Sequence, residues 1–250
     1  MSGLRQLIDA FAVWDLLALI WLFGSWAVIG WMIEHPPHAK PSVSVLMKDY
    51  RREWMVQFVA REPRIFDGNI LNNLRESTAF FASAAMIAIG GGLALLGNSE
   101  QIASFARQIQ IEDIPAIKWE VKIVVALLFV VDAFLKFVWS NRLFGYCAIL
   151  MGSVPNDAAD PRAEPRAMQA ADLNIRAARS FNAGLRGVYF ALGALAWLAG
   201  AAALAVATTL VLYLTWRREF ASGSRQVLLA DRPMQARVQP GDIEDNQPRK

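Results

Sequence analysis

The chain has 250 residues, 55% of them hydrophobic, with 25 Lys and Arg against 22 Asp and Glu and a formal net charge of +3. So small a surplus excludes an extended basic surface for nucleic acid, and the hydrophobic share lies above the soluble-domain norm. The single cysteine, Cys147, excludes an internal disulfide and a multi-cysteine zinc site.

Residues 1–12 hold Arg5 and Asp9, with no apolar run ahead of Ala10-Phe11-Ala12, so the layout of a cleaved signal peptide is missing. Leu4, Leu7, Ile8 and Phe11 recur at helical spacing and predict an interfacial helix over 1–13. The reading that follows is an all-α polytopic bundle over 14–216, with four transmembrane helices at about 14–33, 78–96, 119–140 and 187–216. A bilayer requires roughly 20 apolar residues. The first span is flanked by Trp14 and Trp31, the second is uncharged between Glu76 and Glu100, and the fourth is uncharged from Gly187 to Trp216. That last run is longer than a bilayer requires, so it is expected to tilt or emerge.

The third span is interrupted by Asp132 and Lys136, one helical turn apart. Treated as an internally satisfied i,i+4 pair, they restore a continuous helix between Trp119 and Trp139, about 30 Å at 1.5 Å per residue. Lys122, Asp132, Lys136 and Ser140 share one face and form a polar seam. Ionised groups at membrane depth usually face a partner or an aqueous path, so two readings stand: a neutralised pair that fixes helix orientation, or the lining of a solute pathway. Small residues at Ala84, Ala88 and Gly92, and at Ala196, Gly200, Ala203 and Ala207, suit close helix packing and a homo-oligomer.

Between the first two spans, His35-Pro36-Pro37-His38 reads as an extended stop, and Val43 to Ala60 as a surface-lying amphipathic helix. Between the last two, Glu164 to Arg186 reads as a helix after a Pro- and Asp-containing loop. Gln101 to Ile111 is amphipathic, and 217–250 is a polar tail with the composition of a disordered segment. Lys and Arg placement points to both termini outside, with Arg217 and Arg218 opposing that reading.

A polar cluster is expected where the second and fourth spans begin: Asp67, Asn69, Asn72, Asn73 and Arg75 beside Arg179, Asn182 and Arg186. It reads either as caps and interhelical hydrogen bonds or as a ligand vestibule. Gly90-Gly91-Gly92 has no lysine after it, His35 and His38 lack further ligands, and no nucleophile elbow occurs, so no catalytic residue, metal site or cofactor is indicated.

Arg61-Glu62-Pro63-Arg64-Ile65-Phe66-Asp67, Asn72 to Thr78, Phe80 to Ser83, Asn182 to Phe190, Ala196-Trp197 and Arg217 to Phe220 together form a recognisable pattern. It resembles a family of four-span membrane proteins of bacteria and plants, domain of unknown function 599, over about Trp14 to Ser222. The resemblance implies a multi-pass protein of a bacterial inner (plasma) membrane, with lipid as its surroundings. It supplies no reaction, substrate, cofactor or functional residue. Two classes remain from the residues: an oligomeric channel or transporter subunit using the seam, or an assembly or scaffold protein whose loop helices dock a partner.

Overall fold

The computed structural model describes residues 13–98 and 116–230, and among these every regular element is helical. The elements are α1 (Val13–Glu34), α2 (Val43–Ala60), α3 (Ile65–Gly97), α4 (Ala116–Gly152), α5 (Ala163–Leu195), a 3-10 turn (Ala196–Ala199), α6 (Ala201–Phe220) and α7 (Gly223–Ala230). The fold is an all-α, multi-helix bundle. Residues 1–12 of the interfacial helix expected over 1–13, the amphipathic stretch 101–111 and the part of the 217–250 tail beyond 230 lie outside the described residues, whereas 217–220 continue α6 and 223–230 form α7.

Two described helices, α1 and α3, are long and apolar enough to cross a membrane. α3 is hardly buried within the bundle and leans on α4 alone along most of its length. The other two expected spans take different forms. α4 continues past Ser140 to Gly152, the continuation that a weak breaker at Gly145 and no proline before Pro155 allow in the sequence. The expected fourth span is not one helix. It ends at Leu195, turns through Ala196–Ala199 and restarts after Gly200, whose φ of 113° and ψ of 171° suit glycine alone. What looked like an overlong single span is therefore two antiparallel arms, with Gly193 packed against Val211 and Ala207.

Side-chain contacts fix the register of the helices. α4 and α5 run antiparallel: the Cys147 thiol lies 3.3 Å from Ala170 O, Ser140 Oγ donates to Ala177 O at 2.7 Å, and Ser180 Oγ donates to Lys136 O at 2.8 Å. α3 is antiparallel to α4, with Asn141 Nδ2 donating to Thr78 Oγ1 at 2.9 Å and Gly92 facing Leu127. α1 and α6 are parallel: Trp197 Nε1, just before α6, donates to Asp15 at 2.6 Å, and Trp21 Nε1 donates to Thr209 Oγ1 at 3.1 Å. Ser42 caps α2, accepting from Val45 N while donating to Ile33 O at 2.7 Å, which ties α2 to the end of α1.

The bundle thus has two distinct ends. One gathers Glu34, α2, the start of α3, the α4–α5 connection and the end of α6. The other gathers the start of α1, the end of α3, Trp119 and the turn at Gly200. α1 begins at the second end and α6 finishes at the first, so the two extremities of the described chain lie at opposite ends, as five lengths require.

Two cores match this division. Near the first end Met55, Phe58, Leu71, Phe144, Cys147 and Met151 pack on the α5 stripe Ala163, Ala167, Ala170, Ala171 and Ala177. Through that contact α2, a surface-lying helix in the sequence, packs on α5, as placing the first and third connections on one face allows. Toward the other end Leu22, Ile29, Phe129, Phe190, Trp197 and Leu204 enclose the α1–α5–α6 interior.

Candidate functional site

The most charged cavity lies at the first end, where the close of α1, α2, α5 and the close of α6 meet. It measures about 200 Å³ and is lined in part by Glu34, Lys48, Arg51, Arg179, Arg186 and Arg218, with Glu219 and Ser44 beside them. Each wall follows from local structure. Glu34 ends α1 and presents its two oxygens to α5, one to Arg179 and the other to Arg186 Nη2 at 3.4 Å. Glu219, in the last turn of α6, spends both oxygens on Ser44, accepting from its N and its Oγ at 3.0 Å each.

Five cations therefore face two carboxylates, and both carboxylates are already engaged. Arg186 is 9% exposed. Arg51 donates to Asn174 Oδ1, a neutral partner, and burial lowers its pKa. Arg218 donates to Tyr189 OH at 2.7 Å and lies over that ring. Among the described residues Lys48, Arg51 and Arg218 form no ion pair. Of the five cations, Arg186 is buried, Lys48 and Arg51 are half-buried and Arg179 and Arg218 are exposed, so the cavity carries more cation than counter-charge at a partly solvated mouth.

The expected entrance cluster divides in two. Arg179, Asn182 and Arg186 belong to this cavity. Asp67 does not: it is fully buried beneath α2, accepting from Trp54 Nε1 at 2.6 Å and from Arg61 at 2.5 Å. Asn69, Asn72, Asn73 and Arg75 are exposed on α3. Asn72 pairs with Glu76, while Arg75 O accepts from Thr78 and Asn141, which joins α3 to α4. Asn72 and Arg75 instead border a separate cavity of about 410 Å³, beside Arg64. The two sets sit on different helices facing different hollows, and sequence proximity to a span entrance could not distinguish them.

The polar seam is occupied by protein contacts. Lys136 Nζ lies 2.6 Å from Asp132 and 5.1 Å from the centre of the Trp26 ring. Lys122 is buried between the Trp119 and Trp197 rings, 5.4 and 5.8 Å from their centres. Ser140 is fully buried and bonded to α5. None of the four residues lines any of the five cavities measured among the described residues. Two buried hydroxyls elsewhere, Ser25 Oγ and Thr208 Oγ1, have no hydrogen-bond partner. Each falls on the buried face of its helix, in line with Leu22 and Ile29 on α1 and with Leu204 on α6.

Sequence reasoning missed Glu34, Lys48, Arg51, Arg218 and Glu219. Glu34 and the Arg217–Arg218 pair look like span punctuation, and only the α5–α6 turn returns the latter to the same end as Glu34. Among the described residues no group of three His, Cys, Asp or Glu could hold a metal.

No curated protein and no solved structure matches the chain. A family model described as "Protein of unknown function, DUF599" matches residues 17–224, most of the chain and every wall of the cavity just described, and the chain belongs to that family.

Proposed function

We propose that this is a multi-pass membrane protein that works as a recognition platform, engaging a ligand or partner at its charged end. Five segments would cross: α1, α3, the Ile123–Ser140 part of α4, the C-terminal part of α5, and α6. This replaces the four spans and the shared side for both termini expected from the sequence. In this arrangement Lys40, Lys48, Arg52, Arg61, Arg64, Arg162, Arg166, Arg179, Arg217, Arg218 and Arg225 all fall at one end, and Arg217–Arg218 no longer oppose the rest. The excess of basic residues puts that end in the cytoplasm and the N-terminal side of α1 outside.

The observation that carries the reading is the contrast between the two polar regions. The Asp132–Lys136 pair is neutralised within α4 although about a third exposed, and Lys122 and Ser140 are buried against protein, whereas the charged end holds an open cavity with surplus cations. A protein that recognises something there needs no conduit through its middle. An oligomeric channel or transporter subunit is the second reading. It draws on Ser25 and Thr208, whose unpartnered hydroxyls offer polar steps along the α1–α5–α6 interior.

Ion and small-solute flux in proteoliposomes separates the two, with wild type compared against Asp132→Asn, Lys136→Met and Ser25→Ala. The platform reading expects no flux above protein-free vesicles. Flux in wild type that Ser25→Ala or a seam variant loses while still folded would replace it with transport.

A further inference from the structure

We infer that the cavity between α1, α2, α5 and α6 binds a phosphate group, carried either by a small soluble anion or by the headgroup of an anionic lipid. The inference rests on the recognition reading above and gives that site its chemistry.

Charge comes first. Lys48, Arg51, Arg179, Arg186 and Arg218 against Glu34 and Glu219 leave a surplus of three positive charges in the lining. A phosphate supplies about two negative charges and several acceptor oxygens. Geometry comes next. Arg186 is nine-tenths buried and held by Glu34, so at least one guanidinium is fixed in place. Arg51 from α2 and Arg218 from α6 bring planar donor groups to the same lining, and such forks match phosphate oxygens. The carboxylates do not compete for that space, since Ser44 and the α5 arginines engage all four of their oxygens.

Size narrows the ligand class. The cavity of about 200 Å³ exceeds the roughly 10–15 Å³ that one water needs. It falls below the roughly 300–1,000 Å³ of pockets that enclose drug-sized molecules. A compact anionic group fits where a nucleotide would not. Ile33 at the close of α1 and Val43 at the start of α2 also line the cavity, at the level where the proposed topology sets lipid headgroups. Two sources of the same chemistry are thereby defined.

The test uses full-length protein in detergent, with thermal unfolding followed against inorganic phosphate and against chloride at equal ionic strength. A parallel series reconstitutes the protein into phosphatidylcholine discs with or without phosphatidylglycerol. Lys48→Gln and Arg218→Gln each remove one lining cation. Arg52→Gln, whose surface pair with Asp172 lies outside the lining, is the control. Losing one charge-assisted hydrogen bond should weaken binding about tenfold or more.

The expected result is saturable stabilisation by phosphate beyond chloride, weakened about tenfold by either lining variant and unchanged by the control. Stabilisation only by phosphatidylglycerol, with the same variant pattern, assigns the site to a lipid headgroup. Without added anion, Lys48→Gln should melt at or above wild type, because it relieves repulsion among like charges; Arg218→Gln also loses its contacts with Tyr189 and is read by anion binding alone. A site that tells neither phosphate nor anionic lipid from chloride, or lining variants that bind as tightly as wild type, would overturn the inference. So would a Lys48→Gln variant that is less stable than wild type without anion, since that cation would then be structural. A failure here leaves the flux result untouched, so the two proposals fail separately.

Discussion

Replacing Gly184 with alanine tests the close approach of α4 and α5, on which the whole arrangement depends. A Cβ at Gly184 would stand 2.6, 2.9 and 3.0 Å from atoms of the Phe137 ring. That ring is fully buried, with Phe81 and Phe181 centred 5.5 and 5.6 Å away, so it has little room to retreat. Overpacking of this kind costs about 1–3 kcal/mol. Alanine regains about 1 kcal/mol of helix propensity over glycine, which leaves a net loss of about 0–2 kcal/mol. Gly92 is the matched control. Its Cβ would come within 2.4 Å of Leu127, but that atom is the tip of a flexible side chain on a half-buried residue. Leu127 can swing aside, and Gly92→Ala should be neutral or stabilising by up to about 1 kcal/mol. Unfolding by denaturing detergent, followed by tryptophan fluorescence, measures both. Gly184→Ala as stable as Gly92→Ala would refute the packing argument.

The remaining predictions follow from other contacts. Gly200→Ala should cost about 1–3 kcal/mol, because its φ of 113° with extended ψ is open only to glycine; a thermal midpoint equal to wild type would deny the turn. Asp132→Asn and Lys136→Met should each destabilise more than the double variant, since either single change strands one charge; a double-mutant cycle with no coupling would contradict the pair. Cys147, pushed up to about 11 by burial, should resist alkylation in the folded protein at pH 8 and react on unfolding. The folded thiol holds its proton more tightly than an unfolded one near 9, so its contribution is complete below about pH 9 and lost as pH rises toward 11. Cys147→Ala should remove that part of the alkaline destabilisation, and an unchanged pH profile would argue against the buried environment.

Much of the fold is legible because apolar runs and their punctuation are local. α2 shows in the helical spacing from Val43 to Ala60, and α1 and the 78–96 part of α3 in uninterrupted apolar stretches, whereas the polar opening of α3 from Ile65 to Ser77 does not. Treating Asp132 and Lys136 as a pair recovers α4, because i,i+4 spacing alone brings such side chains together. The failures come from what is not local. Ala196-Trp197-Leu198-Ala199-Gly200 has no proline or charge to announce a reversal, so two short arms read as one long span. That single missed turn reverses the end at which α6 finishes, which in turn hides the meeting of Arg218 and Glu219 with Glu34 and Ser44. The candidate cavity was half legible for the same reason: Arg179, Asn182 and Arg186 stand out beside a span entrance, whereas Lys48 and Arg51 look like the wet face of a surface helix. Asp67 was grouped with them by sequence position, but Trp54 and Arg61 enclose it under α2.

The measurement that bears most directly on the account is the side of the membrane on which each extremity lies. In a Cys147→Ala background, Ser2→Cys, Ser153→Cys and Ser224→Cys are treated in intact cells with a membrane-impermeant maleimide, then again after permeabilisation. Five crossing segments with the charged end inside predict labelling of Ser2→Cys in intact cells, and of the other two only once the membrane is opened. Labelling of Ser2→Cys and Ser224→Cys under the same condition would put both extremities on one side and contradict the arrangement.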